Sequence, residues 1–216
     1  MIRIVIADDH TIVREGLQQL LGAAGGFEVV GEARDGIEVM QRVRELEFDV
    51  LLLDISMPGK SGLELIKQVR SEKPRLRVLV LSMHEEHQYA VRAIKSGASG
   101  YLTKESASAE LATALRKIAA GGAYITPRVG EELALGTLSG PDVAPHTTLS
   151  DREFQVFGML ASGKSVSDIA EALHLSVKTI STHKARLMQK LGVATSNELI
   201  RYALQHRLSD DMGTDA

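Results

Sequence analysis

The sequence has 216 residues, of which 44% are hydrophobic and 25% charged, with a formal net charge of −3 and no cysteine. This composition is typical of a globular protein, and it excludes disulfides, thiolate zinc sites and a cysteine nucleophile. The apolar runs are far shorter than the roughly 18 residues that a membrane span needs. The first residues do not have the pattern of a secretion signal, so we expect a cytoplasmic protein.

The first 125 residues alternate short apolar runs with amphipathic stretches, which predicts five strand–helix units. Runs of nearly continuous Val, Ile and Leu are typical of a parallel sheet that is covered on both faces. The predicted strands are 2–7, 27–33, 49–53, 77–82 and 98–102. Apolar residues recur at helical spacing after each strand. In the five helices these are, in order, Ile12, Leu17, Leu20 and Leu21; Val39, Met40, Val43 and Leu46; Leu63, Leu65, Ile66 and Val69; Ala90, Val91 and Ile94; and Leu111, Leu115 and Ile118. The fold predicted for this part is an α/β doubly wound, five-stranded parallel sheet.

The remainder of the chain has a different pattern. Residues 126–148 hold three of the five prolines, and although 128–135 could form a helical turn or two, 138–148 is predicted to be a linker. From residue 149 on, four capping residues predict a small all-α domain of four helices, with glycines that end two of them. The caps are Ser150, Ser165, Ser176 and Thr195, and the glycines are Gly163 and Gly192. Residues 149–208 carry eight Lys and Arg against five Asp and Glu, a local excess that suggests nucleic acid as a partner.

Polar side chains stand at the ends of four predicted strands. They are Asp8 and Asp9 after the first strand, Asp54 after the third, Ser82 at the end of the fourth and Lys104 after the fifth. The carboxyl ends of parallel strands meet at one edge of the sheet, where ligands bind at the switch in strand order, so we expect these side chains to converge.

Three carboxylates without His or Cys suit a hard, oxygen-binding cation, which makes Mg²⁺ the expected metal. A carboxylate can also attack phosphorus, and phosphoryl transfer needs little beyond a metal, a cation and an in-line nucleophile. Asp54 is the predicted nucleophile, with Lys104 as the cation. Taken singly each residue has a simpler interpretation: Asp8 or Asp9 could cap the next helix, Asp54 could be a turn residue and Lys104 a solvated lysine.

The segments IADDH at 6–10, LLLDISMPGKSG at 51–62, VLVLS at 78–82 and GYLTKE at 100–105 resemble a bacterial two-component receiver domain. The resemblance implies a flavodoxin-like fold and phosphoryl transfer to Asp54 from a sensor histidine kinase. It implies that the Ser56 backbone carbonyl joins Asp9 and Asp54 on Mg²⁺, with Asp8 in support. It also implies that Ser82 and Tyr101 are the switch positions that move on phosphorylation.

Two predicted helices joined by a short turn at 174–176 indicate a helix-turn-helix. The second, from Val177 to about Leu191, has an apolar stripe formed by Ile180, Leu187 and Leu191. The opposite face carries small residues and cations, as a helix that enters a DNA groove would. An exposed amphipathic helix with solvated charges is the alternative. The predicted DNA-contacting set is Lys178, Thr179, Ser181, Thr182, His183, Ala185 and Arg186.

Three segments closely resemble the LuxR-type DNA-binding domain: LSDRE at 149–153, the whole of residues 161–193, and NELIRYAL at 197–204. Together with the receiver they identify the chain as a member of the NarL/FixJ class of response regulators. The resemblance implies that the helix from Val177 enters the major groove, with base contacts at Ser181, Thr182 and Ala185. It implies a homodimer through the last helix, promoter DNA as ligand and RNA polymerase as a further candidate partner.

The resulting prediction is a transcription regulator, not an enzyme beyond its own phosphotransfer and dephosphorylation. Its domains are 1–122 (receiver), 123–147 (linker), 148–208 (DNA binding) and 209–216 (acidic tail). Two other classes compete with it. An aspartate-nucleophile phosphohydrolase normally has its nucleophile after the first strand in a DxD pattern, whereas here Asp8 and Asp9 follow the first strand and the single Asp54 follows the third. A phosphate-blind scaffold is disfavoured because all five site residues are present.

Overall fold

Strands and helices alternate through the first half of the chain in a computed structural model that describes residues 1–57, 62–82, 87–138, 144–206 and 208. The strands are β1 (Ile2–Ala7), β2 (Phe27–Ala33), β3 (Val50–Asp54), β4 (Arg77–Ser82) and β5 (Gly100–Thr103). The helices between and after them are α1 (Thr11–Ala24), α2 (Gly36–Glu45), α3 (Gly62–Glu72), α4 (His87–Lys95) and α5 (Lys104–Ala119). All five strands are parallel, in the order β2-β1-β3-β4-β5, which confirms the predicted doubly wound sheet. Strands β3 and β5 begin one and two residues later than predicted.

Both faces of the sheet are covered, as the continuous apolar runs predict. Alternate residues such as Ile4, Leu52 and Leu79 pack with side chains of α1 and α5 in one core cluster. The residues between them, Val5 and Leu51 among others, are fully buried as well. Because successive side chains of a strand point to opposite faces, a second layer must cover the other side. Helices α2, α3 and α4 supply it, each in contact with the next.

The apolar stripe predicted for α1 is wrong at two of its four positions. Ile12 is 84% exposed and Leu20 is 38% exposed, whereas Arg14 is buried together with Leu17 and Leu21. Position 14 lies three and seven residues before Leu17 and Leu21 and so falls on the buried face of the helix, whereas position 12 lies on the opposite side. Polar contacts hold the guanidinium of Arg14 in this buried position.

The segment predicted as a linker is largely folded where it is described. Helix α6 spans Pro127–Leu138, longer than the one or two turns expected from sequence. Before it, the Tyr101 N–H donates to the Tyr124 carbonyl at 3.0 Å, and Gly100 and Tyr124 form an isolated parallel β-bridge beside β5. Gly100 is required there, since a Cβ atom would lie 2.8 Å from the Tyr124 carbonyl oxygen. The chain divides into two compact units, and the second begins at Leu133.

The second unit is helical throughout its described part. It contains a 3-10 helix (Pro145–Thr148) and the helices α7 (Asp151–Ala161), α8 (Val166–Ala172), α9 (Val177–Leu191) and α10 (Ser196–Gln205). The predicted capping residues accept the expected backbone hydrogen bonds, with full capping boxes at Ser150, Ser165 and Thr195. Gly192 ends α9 with φ +69°, a left-handed conformation that costs glycine little. The prediction of a linker up to Thr148 is wrong at its end, because His146 is buried and its Nδ1 lies 3.0 Å from the Tyr202 hydroxyl on α10.

Candidate functional site

The first unit brings three of the predicted carboxylates together at the carboxyl end of the sheet. Asp8 follows β1 and Asp54 is the last residue of β3, both 1% exposed, while the Asp9 side chain is 31% exposed. One ligand atom from each of Asp8, Asp9, His10 and Asp54 lies within 4.8 Å of the others. The chain thus forms a cluster of carboxylates that could bind a metal ion.

The amine of Lys104 bridges two of these carboxylates. Its Nζ donates to Asp8 Oδ2 at 2.6 Å and to Asp54 Oδ2 at 2.8 Å. Lys104 is the first residue of α5, whose N-cap Thr103 accepts the Ser106 N–H. This cap fixes the helix start at the end of β5. The alternative interpretation of Lys104 as a solvated lysine is therefore wrong, because its side chain is only 12% exposed.

The surroundings of Asp54 act on its protonation in opposite directions. Burial raises the pKa of Asp54, and it outweighs the lowering effects of Lys104 and of the Ser56 N–H, which donates to Asp54 Oδ1 at 2.8 Å. Burial alone would lower the pKa of Lys104, but the two carboxylates more than offset it and raise that pKa. Lys104 thus stays cationic beside a carboxylate that is costly to ionise.

The other predicted receiver residues lie near this edge at different depths. Ser82 is fully buried at the end of β4 and pairs with Thr103 on β5. Tyr101 lies two residues earlier on β5, opposite Val80, and is 8% exposed. Ser56 contacts Asp54 through its N–H. Pro58 and Gly59, which follow the possible turn residue Asp54 in the segment 51–62, fall outside the described residues.

Sequence reasoning missed two residues beside the aspartates. His10 Nδ1 lies 3.0 Å from Asp9 Oδ1 and 3.2 Å from Asp8 Oδ1. The backbone N–H of His10 also donates to Asp8 Oδ1 at 2.7 Å. The N-cap residue of α1 is His10, and no side chain caps the helix start through a hydrogen bond. The Asp8 carboxylate therefore does not have the capping role that was considered for the aspartates. The second missed residue is Arg14, which donates to the Asp8 carbonyl at 2.8 Å. The adjacency of His10 to the two aspartates was the available signal.

In the second unit, α8 and α9 form the predicted helix-turn-helix. His174 has φ +50° in the turn, where Leu175 N–H donates to the Ala170 carbonyl at 2.9 Å. Helix α9 buries its apolar stripe of Ile180, Leu187 and Leu191. On its other side Lys178, Ser181, Thr182, Ala185 and Arg186 are exposed, while Thr179 and His183 are half-buried.

Two lysines of α9 are directed into the unit itself. Lys184 Nζ donates to Ser196 Oγ at 3.0 Å, and Lys190 Nζ donates to the buried Glu153 Oε2 at 2.6 Å. Burial raises the pKa of Glu153, but the Lys190 and Ser150 hydrogen bonds outweigh it and lower that pKa overall. Lys178 and Arg186, both in the predicted set, are exposed; Lys190 is also exposed, but it is paired with Glu153.

Comparison with known proteins assigns both units. Residues 4–116 match the family of the response regulator receiver domain, and residues 147–203 match bacterial regulatory proteins of the luxR family. The chain is 37% identical over 212 residues to the response regulator GacA of Pseudomonas viridiflava, covering 97% of this chain and 99% of the relative. The chain is a response regulator of the NarL/FixJ class. This response regulator is also 37% identical to the oxygen regulatory protein NreC of Staphylococcus aureus, covering 95% of this chain and 98% of that protein.

A solved structure extends the similarity to the whole fold. The RcsB response regulator of Salmonella enterica serovar Typhimurium, bound to a promoter with the phosphomimetic BeF3−, is 31% identical and has a TM-score of 0.66. The alignment covers 93% of this response regulator and 97% of RcsB. Among the described residues, none of the helices combines the length and apolar character needed to cross a bilayer.

Proposed function

We propose that this response regulator takes a phosphoryl group on Asp54 from a sensor histidine kinase and thereby gains affinity for promoter DNA. The observation that carries the proposal is the Lys104 amine, held within 2.8 Å of both Asp8 and Asp54 at the edge of a parallel sheet. A buried carboxylate with a fixed cation beside it is the arrangement that phosphoryl transfer requires. The active units are proposed to be 1–122 for phosphorylation and 148–208 for DNA binding.

The cluster fits Mg²⁺ as its metal. Carboxylate oxygens from Asp8, Asp9 and Asp54 are the hard donors that Mg²⁺ prefers, and the Ser56 carbonyl would complete the protein ligands. When bound, the ion supplies positive charge that favours ionised Asp54 and balances the oxygens of the incoming phosphoryl group. No described arrangement of cysteines or paired histidines competes with this assignment around Asp54.

The transfer itself involves few residues of this chain. Asp54 attacks the phosphorus, an O–P bond forms, and the P–N bond to the kinase imidazole breaks, leaving the imidazole with its electron pair. Lys104 already contacts the attacking carboxylate and would follow the charge to a phosphoryl oxygen. Ser82, buried at the end of β4, would donate its hydroxyl to another oxygen. Tyr101 would move with it. Apart from this transfer and the later hydrolysis, we propose no enzymatic activity.

DNA binding is assigned to α9, with Lys178, Thr179, Ser181, Thr182, His183, Ala185 and Arg186 as the contacting set. The half-exposed Leu204 on α10 suits a homodimer, and a two-fold dimer matches paired half-sites in DNA. RNA polymerase is a further candidate partner at the promoter. Because promoter DNA is its ligand, the protein is expected to act in the bacterial cytoplasm.

Intact-mass measurement with a small phosphodonor tests the phosphoacceptor directly. Wild-type protein with Mg²⁺ should gain one phosphoryl group, and chelation of the metal should prevent the gain. Asp54→Asn should gain none, while Asp35→Asn, which alters an N-cap of α2, should gain one as the wild type does. Phosphorylation of Asp54→Asn to the wild-type extent would show that another residue is the acceptor. Turnover of a generic phosphomonoester would favour a phosphohydrolase instead.

A further inference from the structure

Arg14 is an arginine in the interior of the receiver unit. It lies on the first turn of α1 and is 4% exposed, although arginine is almost never fully buried unless it is paired. Its position lies on the buried face of the helix with Leu17 and Leu21, three and seven residues further on, where an apolar side chain would be expected. A buried cation of this kind must make specific polar contacts to offset the loss of water.

The guanidinium of Arg14 donates in three directions. Nε donates to Glu32 Oε2 on β2 at 2.6 Å, Nη1 to the Asp8 backbone carbonyl at 2.8 Å, and Nη2 to Thr11 Oγ1 at 3.3 Å. Glu32 is in turn held by Gln18, whose Nε2 donates to its other oxygen at 2.6 Å. The Arg14 hydrogen bond is the main reason that the pKa of Glu32 is lowered.

The contact to the Asp8 carbonyl acts on the carboxylate cluster. The Asp8 carbonyl and the Asp9 nitrogen belong to one planar peptide, so a bond to that carbonyl fixes how the chain enters Asp9. On the other side of the residue, the Asp8 N–H donates to the Ala33 carbonyl at 3.1 Å. The backbone of Asp8 is therefore held at both of its polar groups. Both carboxylates project from this short anchored segment.

We propose that Arg14, oriented by Glu32, is a positioning residue for the metal site: it holds the Asp8–Asp9 peptide so that both carboxylates face Asp54. The inference rests on the proposed function, because it assumes that this cluster binds the divalent cation. Groups that orient metal ligands commonly change metal affinity by about 10–100-fold when they are removed. Arg14 would act on the metal through the backbone and would touch neither the metal nor the phosphoryl group.

Substitutions at Arg14 separate geometry from charge. Arg14→Met removes all three hydrogen bonds and keeps an unbranched side chain. Arg14→Lys keeps the charge, but one ammonium on a flexible stem cannot reproduce the planar three-way contact. Both are therefore expected to weaken the metal site. Glu32→Gln retains an acceptor for Arg14 Nε and is expected to have the smaller effect.

Arg44 provides a matched control in the same unit. Its guanidinium makes two hydrogen bonds to Glu72, at 2.6 and 3.1 Å, so it is also an arginine paired with a glutamate. It joins α2 to α3 and makes no contact with the segment 8–11 among the described hydrogen bonds. Arg44→Met should therefore remove an arginine–glutamate pair, in this case a solvent-exposed one, without altering the aspartates.

The test is a titration of the full chain with Mn²⁺, in which the electron paramagnetic resonance signal measures the concentration of the free ion. Thermal unfolding is measured on the same samples. Arg14→Met and Arg14→Lys should raise the Mn²⁺ dissociation constant about tenfold or more, and Arg44→Met should leave it within about twofold. Unchanged affinity in a folded Arg14→Lys would overturn the proposal, even with a lowered melting temperature.

The same titration separates this inference from the proposed function. Asp9→Asn should bind Mn²⁺ much more weakly than the wild type. Loss of affinity in Asp9→Asn with normal affinity in both Arg14 variants would overturn the positioning role and leave the metal site intact. Equal Mn²⁺ binding by wild type and Asp9→Asn would overturn both.

Discussion

At the scale of single residues, the site combines features that stability alone does not favour. Asp54 is a carboxylate buried in the sheet edge, and burial raises its pKa above the ordinary value in spite of Lys104. Asp8 lies beside it, and its negative charge adds to the effect. A chain selected only for stability would have an apolar residue at this position. The proposed function explains the arrangement, because it requires a nucleophile next to a cation.

The raised pKa of Asp54 predicts a pH dependence of stability. Between the unfolded and the folded pKa the folded state binds more protons, so the free energy of unfolding falls as pH rises through that window. Without a divalent cation, Asp54→Asn should therefore raise the free energy of unfolding at neutral pH by about 0.5–2 kcal/mol, in the range of other stabilising substitutions. The advantage should disappear once the pH falls below the ordinary range of aspartate.

Urea unfolding of the full chain in a chelating buffer, at neutral and acidic pH, measures this difference. Asp35→Asn is the control, because asparagine caps a helix as well as aspartate does and Asp35 accepts from the Ile37 and Glu38 N–H groups. A less stable Asp54→Asn at neutral pH would mean that Lys104 stabilises the ionised carboxylate more than burial destabilises it.

At the scale of elements, the lysines of helix α9 differ in their surroundings. Lys178 is exposed near the helix start, whereas Lys190 near its end binds Glu153 and so connects α9 to α7. A phosphate contact by Lys178 would release counterions from DNA, but Lys190 is already paired within its unit.

Lys178→Ala should therefore weaken binding to specific and non-specific DNA alike and reduce the slope of log K against log salt by about 1. Lys190→Ala should leave that slope unchanged and instead lower the stability of the helical unit. DNA binding at several salt concentrations, compared between the two variants, measures this. An unchanged slope in Lys178→Ala, or an equal reduction of the slope in Lys190→Ala, would contradict the proposal that the side of α9 carrying Lys178 faces the DNA.

Elements with strong periodicity and local caps were predictable from the sequence. The five strands and the capping boxes of α7, α8 and α10 follow from apolar runs and from pairs such as Ser150 and Glu153 three residues apart. The burial of Arg14 could not be predicted in this way, because it depends on a hydrogen bond to Glu32, eighteen residues away on β2. His146 was assigned to a linker for a similar reason: its contact with Tyr202 joins segments 56 residues apart.

At the scale of the whole molecule, two units of different chemistry share one chain. The receiver unit carries the carboxylates and Lys104, and the helical unit carries the exposed cations of α9. The proposed function requires that the first unit control the second. Control requires that phosphorylation change the free energy of dimerisation or DNA binding. Coupling between sites is typically worth about 1–3 kcal/mol, or roughly 5–150-fold in affinity.

The most direct test measures promoter-DNA affinity and sedimentation mass together, for wild type and Asp54→Asn, each with and without Mg²⁺ and a small phosphodonor. We predict that DNA binding tightens roughly 5–150-fold and the mass rises to that of a dimer in phosphorylated wild type, and that Asp54→Asn shows neither change. Equal affinity and equal mass in all four samples would contradict the account and favour a phosphate-blind scaffold. The same response in Asp54→Asn would show that a different residue receives the phosphoryl group.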